Sequence, residues 1–227
     1  MIIGDLVGLG QEFGRLAAAD ATHLLLVDQG NAILQATRPS LLQAGASSVG
    51  TLAEDISQPQ AEARIYEGWL MQSLLQQPPF HLSRLVNILA FPAWSPLEAD
   101  PWASPGPEPP YHLPTLLGVN RWFAQEMARQ GGGQILNVLT RPLATQGPVQ
   151  DMFAHTQALL LDFAHHFNQC LPPQVSISTL SVSGESLLIQ GNLLPSQLAY
   201  DFTPAVSSSR DIATYGYQML QSPPGLT

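Results

Sequence analysis

The run from Gly131 to Leu171 limits the fold more than any other part of the chain. Gly131-Gly132-Gly133 leads into Ile135, Leu136 and Val138, an apolar run with a β-branched bias that predicts a buried strand. After a loop, Phe153, Leu160, Leu161, Ala164 and Phe167 recur at helical spacing, which predicts a helix of roughly five turns over 152–170. Leu171-Pro172-Pro173 stops it, because proline cannot continue the helical ladder.

The amino-terminal end repeats the strand-to-helix theme with a tighter turn. Met1-Ile2-Ile3 runs into Gly4-Asp5-Leu6-Val7-Gly8-Leu9-Gly10, and a helix with Phe13, Leu16 and Ala17 on one face follows. A strand, a glycine-rich turn and a helix form the context that a dinucleotide site requires, since the glycines let a pyrophosphate approach the helix N-terminus. His23 to Asp28 reads as a second parallel strand, and Asp28 stands eighteen residues after Gly10. That is close to the distance of about 20 at which a carboxylate takes the ribose hydroxyls of NAD.

The remaining segments continue the alternation. Leu34 to Ala44 is helical with an interruption at Arg38-Pro39, Val49 to Ala53 is a strand ending at Glu54-Asp55, and Ala61 to Leu75 is a helix. Leu85 to Ala90 is the fourth strand, and 116–129 is a helix carrying Leu117, Trp122, Phe123 and Met127. Val175 to Leu180 is the sixth strand, Ser186 to Pro204 reads as a loop, and Arg210 to Leu220 is a last helix. The segment 92–114 holds eight prolines with Trp94, Trp102 and Tyr111 between them, which predicts an extended arm over the carboxyl edge of the sheet. Residues 221–227 read as a flexible tail. The fold expected is α/β: one domain over 1–227, a Rossmann-like doubly wound parallel sheet with helices on both faces.

Composition narrows the chemistry. A chain of 227 residues with 45% hydrophobic and 11% charged residues suits one compact core. The net charge of −9 and only eight basic residues exclude a nucleic-acid surface. All eight are Arg, so Schiff-base and other lysine-dependent mechanisms are excluded. The single Cys170 excludes an internal disulfide and a cysteine-rich zinc site. Asp151/His155 and Asp162/His166 each share a helix face, but neither pair supplies the roughly three ligands of a metal site. No apolar run approaches 18 residues and no charged n-region precedes one, so neither membrane insertion nor secretion is expected and the cytoplasm is the default.

From Ile2 to Leu220 the chain resembles the short-chain dehydrogenase/reductase family. GDLVGLG matches that family's G-x-x-x-G-x-G through Gly4, Gly8 and Gly10, and Asp55 resembles its acid near the adenine ring. Asn87 keeps the first residue of N-N-A-G. The family's catalytic Ser, Tyr and Lys fall at Thr140, Phe153 and Gln157, and its helix Asn falls near His112. A hydroxyl survives at Thr140, but Phe153 has no titratable proton and Gln157 is neutral, so both of these positions are inactive in the relay. Ile3 replaces the usual Thr, the first strand is short, and Leu89-Ala90 replaces the small Ala-Gly pair. These departures lead to the expectation that no cofactor is bound, with NAD rather than NADP if any, and with vestigial or weak contacts at Gly4, Gly8, Gly10, Asp28, Asp55 and Asn87.

The resemblance implies a catalytically degenerate member of the family, a structural or regulatory subunit with no hydride transfer of its own. It would be a homodimer, or a hetero-oligomer with an active relative, through helices 116–129 and 152–170, where Leu159, Phe163 and Phe167 lie. Two other readings stand beside it. One is a non-redox cyclase, dehydratase or isomerase using Thr140, His112, His155 and Tyr111 on a small-molecule ligand. The other is an unusual NAD-dependent oxidoreductase using Thr140 and a water.

Overall fold

The computed structural model describes residues 1–20, 22–75, 79–91, 112–141, 148–183, 186–191 and 208–221. In chain order these form β1 (Ile2–Gly4), α1 (Leu9–Ala19), β2 (His23–Asp28), α2 (Asn31–Gln43), β3 (Ser48–Ala53), α3 (Ala61–Leu74) and β4 (Arg84–Ala90). There follow α4 (Leu113–Arg129), β5 (Gly133–Arg141), α5 (Pro148–Cys170), β6 (Val175–Ser183), β7 (Ser186–Gly191) and α6 (Ser209–Met219). The expected proline-rich arm falls mostly on 92–111 and the expected tail on 222–227, outside the described residues.

The strands make one sheet in the order β3-β2-β1-β4-β5-β6-β7. Every pair from β3 to β6 is parallel, and β7 closes the edge antiparallel to β6. The strand order reverses between β1 and β4, which makes their carboxyl ends the switch point of a doubly wound sheet. Among the described residues no helix is long and apolar enough to cross a membrane.

Side-chain alternation along the strands fills two cores, one on each face. Leu24 and Leu26 of β2 join Phe13, Leu34, Leu41 and Tyr217 of α1, α2 and α6. Their neighbours Leu25 and Val27 join Ile65, Trp69, Val119, Phe123 and Ala164 of α3, α4 and α5. This is why the strands read as continuous apolar runs: both faces are covered by helices. The surface ion pairs Arg15–Glu12 and Arg129–Glu126 contribute little beside this, since exposed pairs are worth about 0–1 kcal/mol and one buried Leu or Phe about 1.5–3 kcal/mol.

The structure corrects three local expectations. Arg38-Pro39 does not interrupt the second helix: Pro39 lies inside α2 and is exposed, so water can serve the carbonyl that loses its partner. Ser186 does not begin a loop but β7, paired with β6 from Ser183↔Ser186 to Ser178↔Gly191. The short β1 still pairs on both sides, with Ile2 opposite Leu26 and Val86.

A polar clamp joins the two ends of the chain. The Tyr217 hydroxyl donates to the Asp20 carboxylate, and Arg84 donates to the Tyr217 oxygen at 3.0 Å with its guanidinium 5.3 Å from the ring centroid. Burial, reinforced by the bond to Asp20, pushes the Tyr217 phenol up to about 12. A phenol with a folded pKa above its unfolded value of about 10 stabilises the protein below pH 10, and that contribution is lost as pH rises from 10 to 12. Tyr217→Phe is expected to remove this alkaline loss, read as a flatter denaturation midpoint across that window than in wild type.

Gly4 sits at φ 99°, and a Cβ there would overlap the Ile88 carbonyl oxygen of β4. Gly4→Ala is expected to cost about 2 kcal/mol or more, measured by urea unfolding, because strain and overlap act together.

Candidate functional site

The carboxyl ends of β1, β2, β3 and β4 enclose a cleft of about 550 Å³ at the switch point. Gly4 and Asp5 stand on one wall, Asp28 and Gly30 on another, and Glu54, Asp55 and Ile56 on a third, with Ile88, Leu89 and Ala90 beside them. The cleft brings Gly4, Asp28 and Asp55 together, as the linear spacing anticipates. Gly8, at φ 72°, caps α1 without a side-chain hydrogen bond, and neither Gly8 nor Gly10 is among the residues that line the cleft.

Asp28 binds two loops at once. Its Oδ2 accepts from Leu6 N–H at 3.3 Å and its Oδ1 from Gly30 N–H at 2.7 Å. A carboxylate offers about four acceptor positions, so capacity for ribose hydroxyls remains. Asp5 N–H donates to the Ile88 carbonyl at 3.4 Å, and Asp5 Oδ1 accepts from Val7 N–H at 3.0 Å. Burial raises the Asp5 pKa, the Val7 bond opposes this, and the Asp28 charge adds to the rise. Burial also pushes Asp55 upward, but bonds from Ser57 and Gln58, with Arg64 nearby, lower its pKa on balance. Arg64 is paired with Glu54 at 2.8 Å, and no basic side chain lines the cleft among the described residues.

Asn87 lies beneath the cleft rather than in its wall. Its Nδ2 donates to Asn120 Oδ1 at 2.9 Å and to Asn137 Oδ1 at 2.8 Å, while Asn120 Nδ2 donates to Asn137 Oδ1 at 3.2 Å. All three are fully buried, and β4 and β5 set Asn87 opposite Asn137. Such bonds contribute about 1 kcal/mol each, but an unpaired amide would cost more than one is worth, so the three stand or fall together. Sequence reasoning passed over Asn120 and Asn137. The available signal was a polar residue on the otherwise apolar stripe Leu116, Phe123, Met127 and another between Leu136 and Val138.

At the relay positions the surroundings are apolar. Thr140, next to last in β5, lies opposite Ala90 and Val182 and is half-buried. Phe153 is 5% exposed and belongs to a third core cluster with Leu89, Phe91, Leu116, Leu139 and Leu160. Its ring meets Phe91 edge-on at 5.2 Å. Gln157 is half-buried one turn along α5. His112 caps α4, with Nδ1 3.0 Å from Thr115 Oγ1 and its N–H on the Ile56 carbonyl, which ties it to the loop after β3. Tyr111 lies outside the described residues. His155 is exposed, and the described residues hold no metal-binding cluster. The bulk of Leu89 does not stand free in the cleft as expected, because the residue is 1% exposed and packs into the third cluster.

Comparison with protein-family models and with curated protein sequences gives no match. Solved structures do match. A betaketoacyl-ACP reductase from Bacteroides thetaiotaomicron is 16% identical, with 97% of this chain and 90% of that one covered and a TM-score of 0.65. A metagenomic short-chain oxidoreductase in complex with NADP is 19% identical over 98% of this chain and 90% of that one, with a TM-score of 0.59. An NAD+-bound xylitol dehydrogenase is 14% identical over 81% and 68%, with a TM-score of 0.55.

The last two overturn the expectation that no cofactor is bound, or NAD in preference to NADP, because one protein of this fold carries NADP and another NAD+. Two of the structural grounds for that expectation also fall away: Leu89 is packed into the core and the short β1 is paired on both sides. Of what such a group needs, the cleft offers Gly4 of the glycine turn and, at Asp28, a carboxylate with free acceptor positions. The chain has the fold of the short-chain dehydrogenases and reductases.

Proposed function

We propose that this chain binds a nicotinamide dinucleotide at the β1–β4 switch point and does not transfer hydride through a tyrosine–lysine relay. It serves as a structural or regulatory subunit, pairing with itself or with a catalytically intact relative. The observation that carries the reading is Phe153, a side chain without a proton to give, closed into the cluster with Leu89, Phe91 and Leu139 at the place where the family's acid would stand. Gly4, the first amides of α1 and Asp28 would hold the cofactor, which supplies a hydride carrier when bound. The chain's own groups orient it, but none among Thr140, Phe153 and Gln157 combines a proton donor with a cation to lower its pKa.

The pairing surface is the groove of about 430 Å³ between α4 and α5, floored by Leu117, Leu159, Phe163 and Phe167. Phe163 and Phe167 stack with centroids 5.0 Å apart, which gives the groove a flat aromatic wall. Asp162 and His166, both exposed and 3.1 Å apart, stand at its rim. An aromatic centre with a polar rim is the usual composition of a protein interface.

Titration with NADH and NADPH, followed by a carbonyl-reduction assay, tests the cofactor half: binding without turnover is expected. In the double variant Phe153→Tyr with Gln157→Lys, turnover is expected to stay absent and the melting temperature to fall. The new hydroxyl enters an apolar cluster, at a cost of about 1–3 kcal/mol if unpaired. Strong reductase activity in that variant would defeat the reading. For the pairing half, light scattering of wild type and Phe163→Glu is expected to show a dimer replaced by a monomer. A monomeric wild type that also fails to retain an intact short-chain dehydrogenase in a pull-down would remove it.

A further inference from the structure

The glycine turn already holds anions of its own. Its three consecutive amides are all donated inside the chain: Asp5 N–H to the Ile88 carbonyl at 3.4 Å, Leu6 N–H to Asp28 Oδ2 at 3.3 Å, and Val7 N–H to Asp5 Oδ1 at 3.0 Å. Two of the three acceptors are carboxylates. Successive backbone amides at the mouth of a helix form a seat for a phosphate, and here the Val7 amide is taken by Asp5 and the Leu6 amide by Asp28. The Asp5 backbone also lies against the first turn of α1, because a Cβ on Gly10 would press on the Asp5 carbonyl oxygen. Asp28, Glu54 and Asp55 line the same cleft; Arg64 pairs with Glu54 and lies near Asp55, and among the described residues no basic side chain lines the cleft beside Asp5 and Asp28.

We infer that Asp5 is a specificity-determining residue of the cleft. Its carboxylate occupies the anion seat of the turn and penalises phosphate-bearing ligands, while leaving recognition of an uncharged nucleoside untouched. This rests on the dinucleotide reading above. The cleft then ranks ligands by charge at the turn, favouring whatever brings the least negative charge to Asp5. The effect is Coulombic, so it weakens as salt rises.

The test compares wild type with Asp5→Asn and Asp5→Ala, using NADH, ADP and adenosine as calorimetric probes at low and high salt. Asp5→Asn keeps an oxygen for the Val7 amide and removes only the charge. Both variants are expected to bind NADH and ADP more tightly by on the order of tenfold at low salt, with a smaller gain at high salt and no change for adenosine. An unchanged NADH affinity in both variants, with wild-type binding intact, overturns the inference and leaves the cofactor reading standing. An equal gain for adenosine also overturns it, since the cause is then room and not charge. Failure of every protein to bind NADH, ADP or adenosine removes the cofactor reading and this inference with it.

Discussion

One carboxylate sets the geometry of the cleft. Asp28 leaves the end of β2 and receives amides from the turn after β1 and from the entry to α2, so two loops that would otherwise move independently share an anchor. Bonds to a charged acceptor are worth about 1.5–3 kcal/mol, well above a neutral pair, which makes this the stiffest polar joint at the switch point. Gly4 completes the joint by letting β1 lie against the Ile88 carbonyl with no side chain between them. Together they fix where the amino end of α1 faces and thereby what the cleft can hold.

Much of the fold was legible in the sequence because its strands are buried on both faces. Apolar runs identified β2, β4 and β5, the last of them behind a glycine triplet, and helical spacing with a proline stop identified α5. The doubly wound arrangement followed from those elements and from the family resemblance. The edge after β6 was misread: Gly184-Glu185, between the paired Ser183 and Ser186, is a glycine-first hairpin signal in the sequence, and the family resemblance drew the stretch from Ser186 into a loop instead. Pro39 misled for a related reason, since a proline on the solvent side of a helix costs a bond that water replaces.

The candidate site was legible in its charged members and obscure in its neutral ones. Spacing after Gly10 drew attention to Asp28, while Asp55 was reached only through the family resemblance; the structure sets both in the cleft wall. Asn120 and Asn137 reach Asn87 only through the packing of α4 and the register of β5, and neither is visible along the chain. Leu89 misled in the opposite direction, since bulk in a linear motif says nothing of which side of the strand receives it. The row of buried amides and the aromatic pair Phe91–Phe153 lie on the same face of the sheet, so an apolar cluster stands beside the polar cleft.

The clamp between Tyr217, Asp20 and Arg84 bears on how the chain is made. α6 lies on α1, with Gly216 close against the Phe13 ring, and covers Leu136, Val138 and Leu180 on that side of the sheet. On a ribosome those strands emerge long before their cover does. α1 and α2 cover part of that face, and its remaining apolar part stays open until α6 packs, which makes its closure a late event. A core closed by α6 leaves Leu136, Val138 and Leu180 open to premature association until that helix packs, and loss of α6 would uncover Phe13 of α1 as much as its own residues.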